Sequence, residues 1–448
     1  MLFRAGFRRT IEQDSTKFCV SILRNLARIH TLLMRQSYLV FILFLSSTLV
    51  QAQQRQLDSL QAAYPFLHTS ANHIENATIG LQRFYQRLRQ PRQLPAALPG
   101  SRVSIVHLGD SHIQADDYSD RVRRELQRTY GNAGRGLVFP YEVARTNGSP
   151  TYRTARTSGT WRSKRVLAVQ PDSTLPVGVT GISLATADSG AAFSLRLPLR
   201  YWSSYQFNSV TLLRQPGPAA FDWQVFTPQH KLLGTVPGEG RSAADTLPLD
   251  SLRTSISLRT TRHRPAQTSG VLYGLVLENG RAGVLYHAIG INGAQVHQYN
   301  RTPQFWAQLP LLRPDLFIIS LGTNDVYYPK YTPERFATQL DTLVHSLRRR
   351  CPDAEILLVG PADSYRARRY PNPEFARVSG ILRTYAQAHD LAYWDFAAVQ
   401  GGYASMAKWR AAGLAQNDFI HFTRTGYDVQ GLLLYLAIQD GFSAFRTR

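Results

Sequence analysis

Three short stretches hold side chains that could act together on an acyl group. Gly109-Asp110-Ser111-His112 sets a serine hydroxyl beside a glycine that lets the chain turn tightly. Gly322-Thr323-Asn324-Asp325 offers a carboxamide in a second turn, and Asp418-Phe419-Ile420-His421 puts a carboxylate three residues before an imidazole. At that loop spacing Asp418 can hold the Nδ1–H of His421, leaving Nε2 free to take a proton from Ser111. The chemistry would be acyl transfer through a serine nucleophile. Each stretch also has a structural reading: Ser111 as a helix N-cap, Asn324 as a turn residue, Asp110 and Asp325 as acceptors for local backbone. Taken together, in this chain order, the three are specific.

The elements around them must place these stretches side by side. Val103–Leu108 is an apolar run ending at Gly109, and Tyr118–Tyr130 carries Val122, Leu126 and Tyr130 at helical spacing. Strand, tight turn and helix open an α/β layer fold. Leu316–Leu321 is a second apolar run, ending at Gly322. In open α/β sheets ligands gather at the carboxyl ends of strands. Thr332 and Pro333 read as N-cap and first residue of an amphipathic helix to Arg350. Glu355–Val359 reads as a strand, Asn372–His389 as a helix, Leu391–Trp394 as a strand, and Thr425–Gln439 as the last helix.

Between about Pro150 and Gly283 the texture changes. Phe193–Leu197, Asp222–Phe226 and Val271–Leu277 alternate in polarity between Gly, Pro, Ser and Thr, which points to an all-β sandwich or jelly roll. The expected division is 1–52 leader, 53–98 helical lead-in and linker, 99–150 and 284–448 two parts of one α/β domain, and 151–283 a β-rich insertion. Trp161, Trp202 and Trp223 in the insertion could stack on sugars, with sandwich core as the favoured reading for any one of them.

Composition bounds the partners. The 448 residues include 51 Lys+Arg against 30 Asp+Glu, a net charge of +21, and only two cysteines. The first 52 residues read as a secretory signal: Arg35, then the apolar run Ser37–Val50, then Val50-Gln51-Ala52 as a small-residue cleavage pattern. Met34 offers an alternative start to Met1. The run is short for a bilayer span, which takes about 20 apolar residues, so no stable membrane span is expected after cleavage. Cleavage would leave Cys351 alone, read as structural. Arg121, Arg123, Arg124, Arg348–Arg350, Arg366, Arg368 and Arg369 spread the charge over what reads as a solvated surface, weakly attractive to a polyanionic envelope. Nucleic acid is not an expected partner.

The sequence resembles the SGNH (GDSL-type) hydrolase family. Leu108-Gly109-Asp110-Ser111-His112 matches its first block, Ile289-Gly290-Ile291-Asn292-Gly293-Ala294 its second, Gly322-Thr323-Asn324-Asp325 its third, and Asp418-Phe419-Ile420-His421 its acid and base block. The resemblance implies a flavodoxin-like three-layer α/β/α domain, here with the all-β insertion. It makes Ser111 the nucleophile, His421 and Asp418 base and acid, and the N–H of Ser111, the N–H of Gly293 and the amide of Asn324 the oxyanion donors. No cofactor or metal is implied. His112 replaces the leucine of the commonest first block, a variation seen in members acting on bacterial envelope polysaccharide; His112 and Tyr327 are candidate substrate contacts. The implied protein is a periplasmic or secreted esterase removing O-acyl, foremost O-acetyl, groups from a cell-wall or other polysaccharide. Two alternatives stay open: a lipase, thioesterase or arylesterase of the same family, and a non-catalytic carbohydrate-binding protein.

Overall fold

The computed structural model describes Gln51 and residues 53–90, 102–167 and 175–446. The expected leader, apart from Gln51, and the Pro-rich stretch at 91–101 lie outside the described residues.

Five parallel strands form the central sheet: β1 (Arg102–Gly109), β2 (Gly283–Gly290), β3 (Leu316–Ser320), β4 (Glu355–Val359) and β5 (Ala392–Trp394). Their spatial order is β2-β1-β3-β4-β5, the flavodoxin-like order that the resemblance implies. Near-continuous apolar runs suit strands covered on both faces. On one face Val106, Leu108, Phe317, Ile319, Ile356 and Leu358 share a core with helix residues Leu340, Leu343, Val344, Leu347, Phe375 and Val378.

Five helices matter for the site: α1 (Ser111–Gln114), α2 (Asp117–Tyr130), α3 (Pro333–Arg350), α4 (Glu374–Ala388) and α5 (Arg424–Arg446). The expected cap is present, with Thr332 Oγ1 accepting from the Arg335 N–H at 3.1 Å and Pro333 at the first position. The last helix outruns its expected end at Gln439. Its added turn sets Phe442 against Tyr85 and Tyr130, at ring separations of 5.7 and 5.4 Å.

The segment before β1 is more than a spacer. Glu75 bridges Tyr393 at the β5 edge, and the N–H groups of Arg83 and Phe84 donate to Glu355.

The chain leaves the α/β layers after α2 and builds two antiparallel sheets. One runs in the order 244–253, 207–214, 270–278, 182–186, 162–165; the other in the order 153–158, 192–196, 255–261, 222–226, 232–236. This is a sandwich. Gly136–Val138, upstream of the expected start of the insertion, pairs with Leu275–Leu277 and belongs to the first sheet. Trp223 is buried, and Trp161 stacks on it at 6.3 Å. Trp202 is 43% exposed.

Candidate active site

β2, β1 and β3 are neighbours, and each ends in one of the short stretches singled out above. Ser111 begins α1 directly after β1, Gly290–Gly293 follows β2, and Asn324 follows β3. The order of the sheet reverses here, so the connections diverge and leave a crevice. Asp418–His421 reaches it from the loop before α5.

Ser111 Oγ lies 2.8 Å from His421 Nε2, and His421 Nδ1 lies 2.7 Å from Asp418 Oδ2. The other Asp418 oxygen accepts from the backbone N–H of Ile420 at 2.9 Å and of His421 at 3.0 Å. Phe419 makes this turn possible by adopting φ 58°. Burial works to raise the Asp418 carboxyl, but the His421 side chain and the two N–H donors outweigh it, leaving it below the ordinary carboxylate range. A carboxylate so held fixes the imidazole with Nε2 toward the serine.

Asp110 has no place in that line. It caps α1, with Oδ1 accepting from the His112 N–H at 3.0 Å and Oδ2 accepting from Asn324 Nδ2 at 3.1 Å. Burial raises its carboxyl to about 6 despite the His112 N–H. Asn324 Nδ2 also donates to Ala294 O at 3.1 Å, so both amide hydrogens have acceptors in the resting site. Asn324 can therefore meet a developing oxyanion only by sharing or exchanging one of these bonds. Among the described residues the backbone N–H groups of Ser111 and Gly293 have no acceptor.

The two glycines of the second block are distinguishable. A Cβ on Gly290 would stand 2.2 Å from Gln114 N and 2.6 Å from Asp110 O, so Gly290 lets α1 sit on β2. Gly293 has φ 81°, is exposed, and would meet only Leu167 at 3.8 Å. Gly293 thus has open space around it where Gly290 has none.

His112 is buried, and Tyr327 is half-buried with its hydroxyl engaged inside the protein. His112 is buried beside His421, its Nδ1 2.9 Å from the Tyr427 hydroxyl and its ring 5.2 Å from that of His421. Burial, with His421 adding to it, lowers its pKa to about 3. The imidazole is a neutral backing for His421. Tyr327 turns its hydroxyl inward, 2.8 Å from Ser364 Oγ and 2.9 Å from Tyr365 O.

Two features went unread in the sequence. Gln114 accepts the Asn292 N–H on Oε1 at 2.7 Å and donates from Nε2 to Asn147 O at 2.8 Å, tying α1 to the loop that carries Gly293. Arg123, grouped above with the solvated charge, is wholly buried: Asp116 holds it at 2.7 Å and Asp120 at 3.0 Å. Arg135, equally buried, pairs with the same Asp116 and lies over the ring of Tyr205. An arginine pays for burial only where carboxylates meet it, and spacing alone did not reveal that Asp116 would.

Residues 260–429 match the family described as GDSL-like Lipase/Acylhydrolase. The chain carries a GDSL-like acylhydrolase domain. The match begins within the sandwich strand Ser255–Thr261 and so takes in the second, third and last blocks but not the first block at 108–112. A solved structure of a peptidoglycan O-acetylesterase is similar with 22% identity and a TM-score of 0.65, covering 86% of this chain and 99% of that one. At that identity the likeness is one of fold, and its extent takes in the sandwich. A lipase/acylhydrolase from Enterococcus faecalis has 21% identity, a TM-score of 0.28, and covers 35% of this chain and 77% of that one. A family two carbohydrate esterase from Cellvibrio japonicus has 11% identity, a TM-score of 0.29, and covers 65% and 98%. These two are too distant in structure to bear on function. No curated protein matches the chain in sequence. The fold is the SGNH hydrolase fold with additional β-sheets, and the GDSL domain is that of a carboxylic ester hydrolase. No helix among the described residues is long and apolar enough to cross a membrane.

Proposed function

We propose that this GDSL protein is an exported serine esterase that removes O-acyl groups, foremost O-acetyl, from a cell-wall or other polysaccharide. The observation that carries the reading is the unbroken hydrogen-bonded line from Asp418 through His421 to Ser111, at 2.7 and 2.8 Å. Ser111 attacks the ester carbonyl while His421 Nε2 takes its proton and Asp418 steadies the imidazolium. The N–H groups of Ser111 and Gly293 receive the oxyanion, joined by the Asn324 amide as it trades a resting acceptor. His421 protonates the leaving sugar oxygen, then activates water against the acyl-enzyme.

Polysaccharide as substrate is supported by the architecture shared with the peptidoglycan O-acetylesterase structure, sandwich included. Export, to the periplasm or outside the cell, rests on the leader pattern before Gln53 and on the location of such polymers. In this reading residues 151–283, extended back to Gly136, form the inserted module.

The test compares the full chain with Ser111→Ala on p-nitrophenyl acetate and on O-acetylated polysaccharide, with mass spectrometry of the protein quenched during turnover. Ser111-dependent acetate release and one added acetyl group on the Ser111 peptide are expected. Equal rates from both proteins would overturn the proposal, and a preference for long acyl chains would replace acetyl with lipid.

A further inference from the structure

The chain between β4 and α4 folds into a small hairpin against the triad. Tyr365–Arg366 pairs with Tyr370–Pro371, and the turn between them holds Ala367 and Arg368 at φ 50° and 59° without a glycine. The hairpin is fixed to the Asp418–His421 turn: the Tyr365 N–H donates to Phe419 O at 3.1 Å, and the two rings lie 5.0 Å apart. Tyr327 props its base through Ser364 and the Tyr365 carbonyl. Arg368 and Asp418 line one open depression of about 480 Å³.

Charge collects at this rim without local neutralisation. Arg366, Arg368 and Arg369 are exposed, and the Arg410 guanidinium lies 5.0 Å above the Phe419 ring. The nearby carboxylates are taken: Glu374 pairs with Arg377, Asp117 with Arg424, and Asp363 accepts from the N–H groups of Ala404 and Met406. Among the described residues none forms an ion pair with these four arginines. Beside them Tyr370 and Tyr403 are 59% and 64% exposed, an uncommon state for large aromatic side chains. Aromatic faces stack on sugar rings, and the planar guanidinium fork matches a carboxylate.

We infer that the Tyr365–Pro371 hairpin, with Arg410 and Tyr403, is a docking surface for a carboxylate-bearing polysaccharide, which it seats beside His421 with the ester over Ser111. The inference rests on the esterase reading and adds the charge class of the polymer.

The experiment measures hydrolysis of O-acetylated polygalacturonate, of O-acetylated uronate-free xylan and of p-nitrophenyl acetate by the full chain. The same substrates are given to the triple variant Arg366→Ser, Arg368→Asn, Arg369→Ser, in which Asn suits the left-handed position. At low salt the variant loses about tenfold or more in kcat/KM on the polyuronate, carried by KM. It stays within about twofold of the parent on xylan and p-nitrophenyl acetate, as befits exposed substitutions. A triple lysine variant keeps the preference, and salt erodes it as the Debye length falls from about 10 Å at 0.1 M to about 3 Å at 1 M. Equal loss on both polymers, or no preference of the parent for the charged one, would overturn the inference. Should turnover fail to depend on Ser111, the esterase reading falls; binding of unacetylated polygalacturonate by the Ser111→Ala protein, with and without the arginines, then decides the docking surface separately.

Discussion

Replacing Asp418 by Asn removes one charge and keeps the shape of the turn. The Asn oxygen can still accept from the Ile420 and His421 N–H groups, now at 2.9 and 3.0 Å, so Phe419 keeps its backbone conformation. What changes is the atom 2.7 Å from His421 Nδ1: an amide NH₂ there cannot accept a proton and drives the imidazole to the tautomer protonated on Nε2. That nitrogen can then no longer accept from Ser111. Loss of a charge-assisted hydrogen bond is worth about 1.5–3 kcal/mol. At about 1.4 kcal/mol per tenfold this alone gives about 10–100-fold in rate, and the tautomer reversal carries the loss toward 10⁴. The side chains of Asp418 and His421 are 31% and 32% exposed, so water partly screens the pair and favours a loss of about 10³-fold. The assay is steady-state kcat on p-nitrophenyl acetate, with circular dichroism to show that the fold is kept. If kcat stays within about threefold of the parent while Ser111→Ala is inactive, the carboxylate does not orient the base and the reasoning fails.

Two further outcomes follow from the same geometry. Gly290→Ala drives a methyl into backbone atoms 2.2 and 2.6 Å away, costing about 1–3 kcal/mol of stability and displacing Ser111, whereas Gly293→Ala meets open space and only its φ of 81° resists, costing about 1 kcal/mol; thermal denaturation with kcat/KM on each variant checks the contrast, and similar losses would refute it. Burial raises Asp325 to about 7, so the folded protein holds a proton that the unfolded chain releases near pH 4, and stability falls as pH rises from about 4 to 7; Asp325→Asn flattens that slope in urea titrations at pH 5 and 8 and gains up to about 4 kcal/mol at the higher pH, and an unchanged slope would exclude Asp325 as its source.

The strands and the site lay open in the sequence to different depths. β1, β3 and β4 are apolar runs with turn residues at their ends, and the start of α3 announces itself through Thr332 and Pro333, because these signals are local. The site residues were nameable because each sits in a short motif at a strand end or before a helix. Burial of polar groups was not legible. Arg123 read as surface charge until Asp116 and Tyr205 are seen around it, and nothing local in the sequence marks Arg135 for burial beside the same two residues. His112 read as a substrate contact, and its position is set by Tyr427 and Phe422 from a distant helix and loop. The first strand of the sandwich, Gly136–Val138, is three residues long and acquires its partner only from residues 275–277.

The arrangement of the central sheet also dictates an order of events during folding. β1 is flanked by β2 and β3, both of which follow the sandwich in the chain. A growing polypeptide therefore carries β1 with two unpaired edges until residues 283–290 and 316–320 have been made. Closing so long a loop is slow, and bare strand edges invite pairing with other chains. The turn at Gly109–His112 is thus made well before the strands that flank β1, so a holdase acting on the nascent chain would protect this segment.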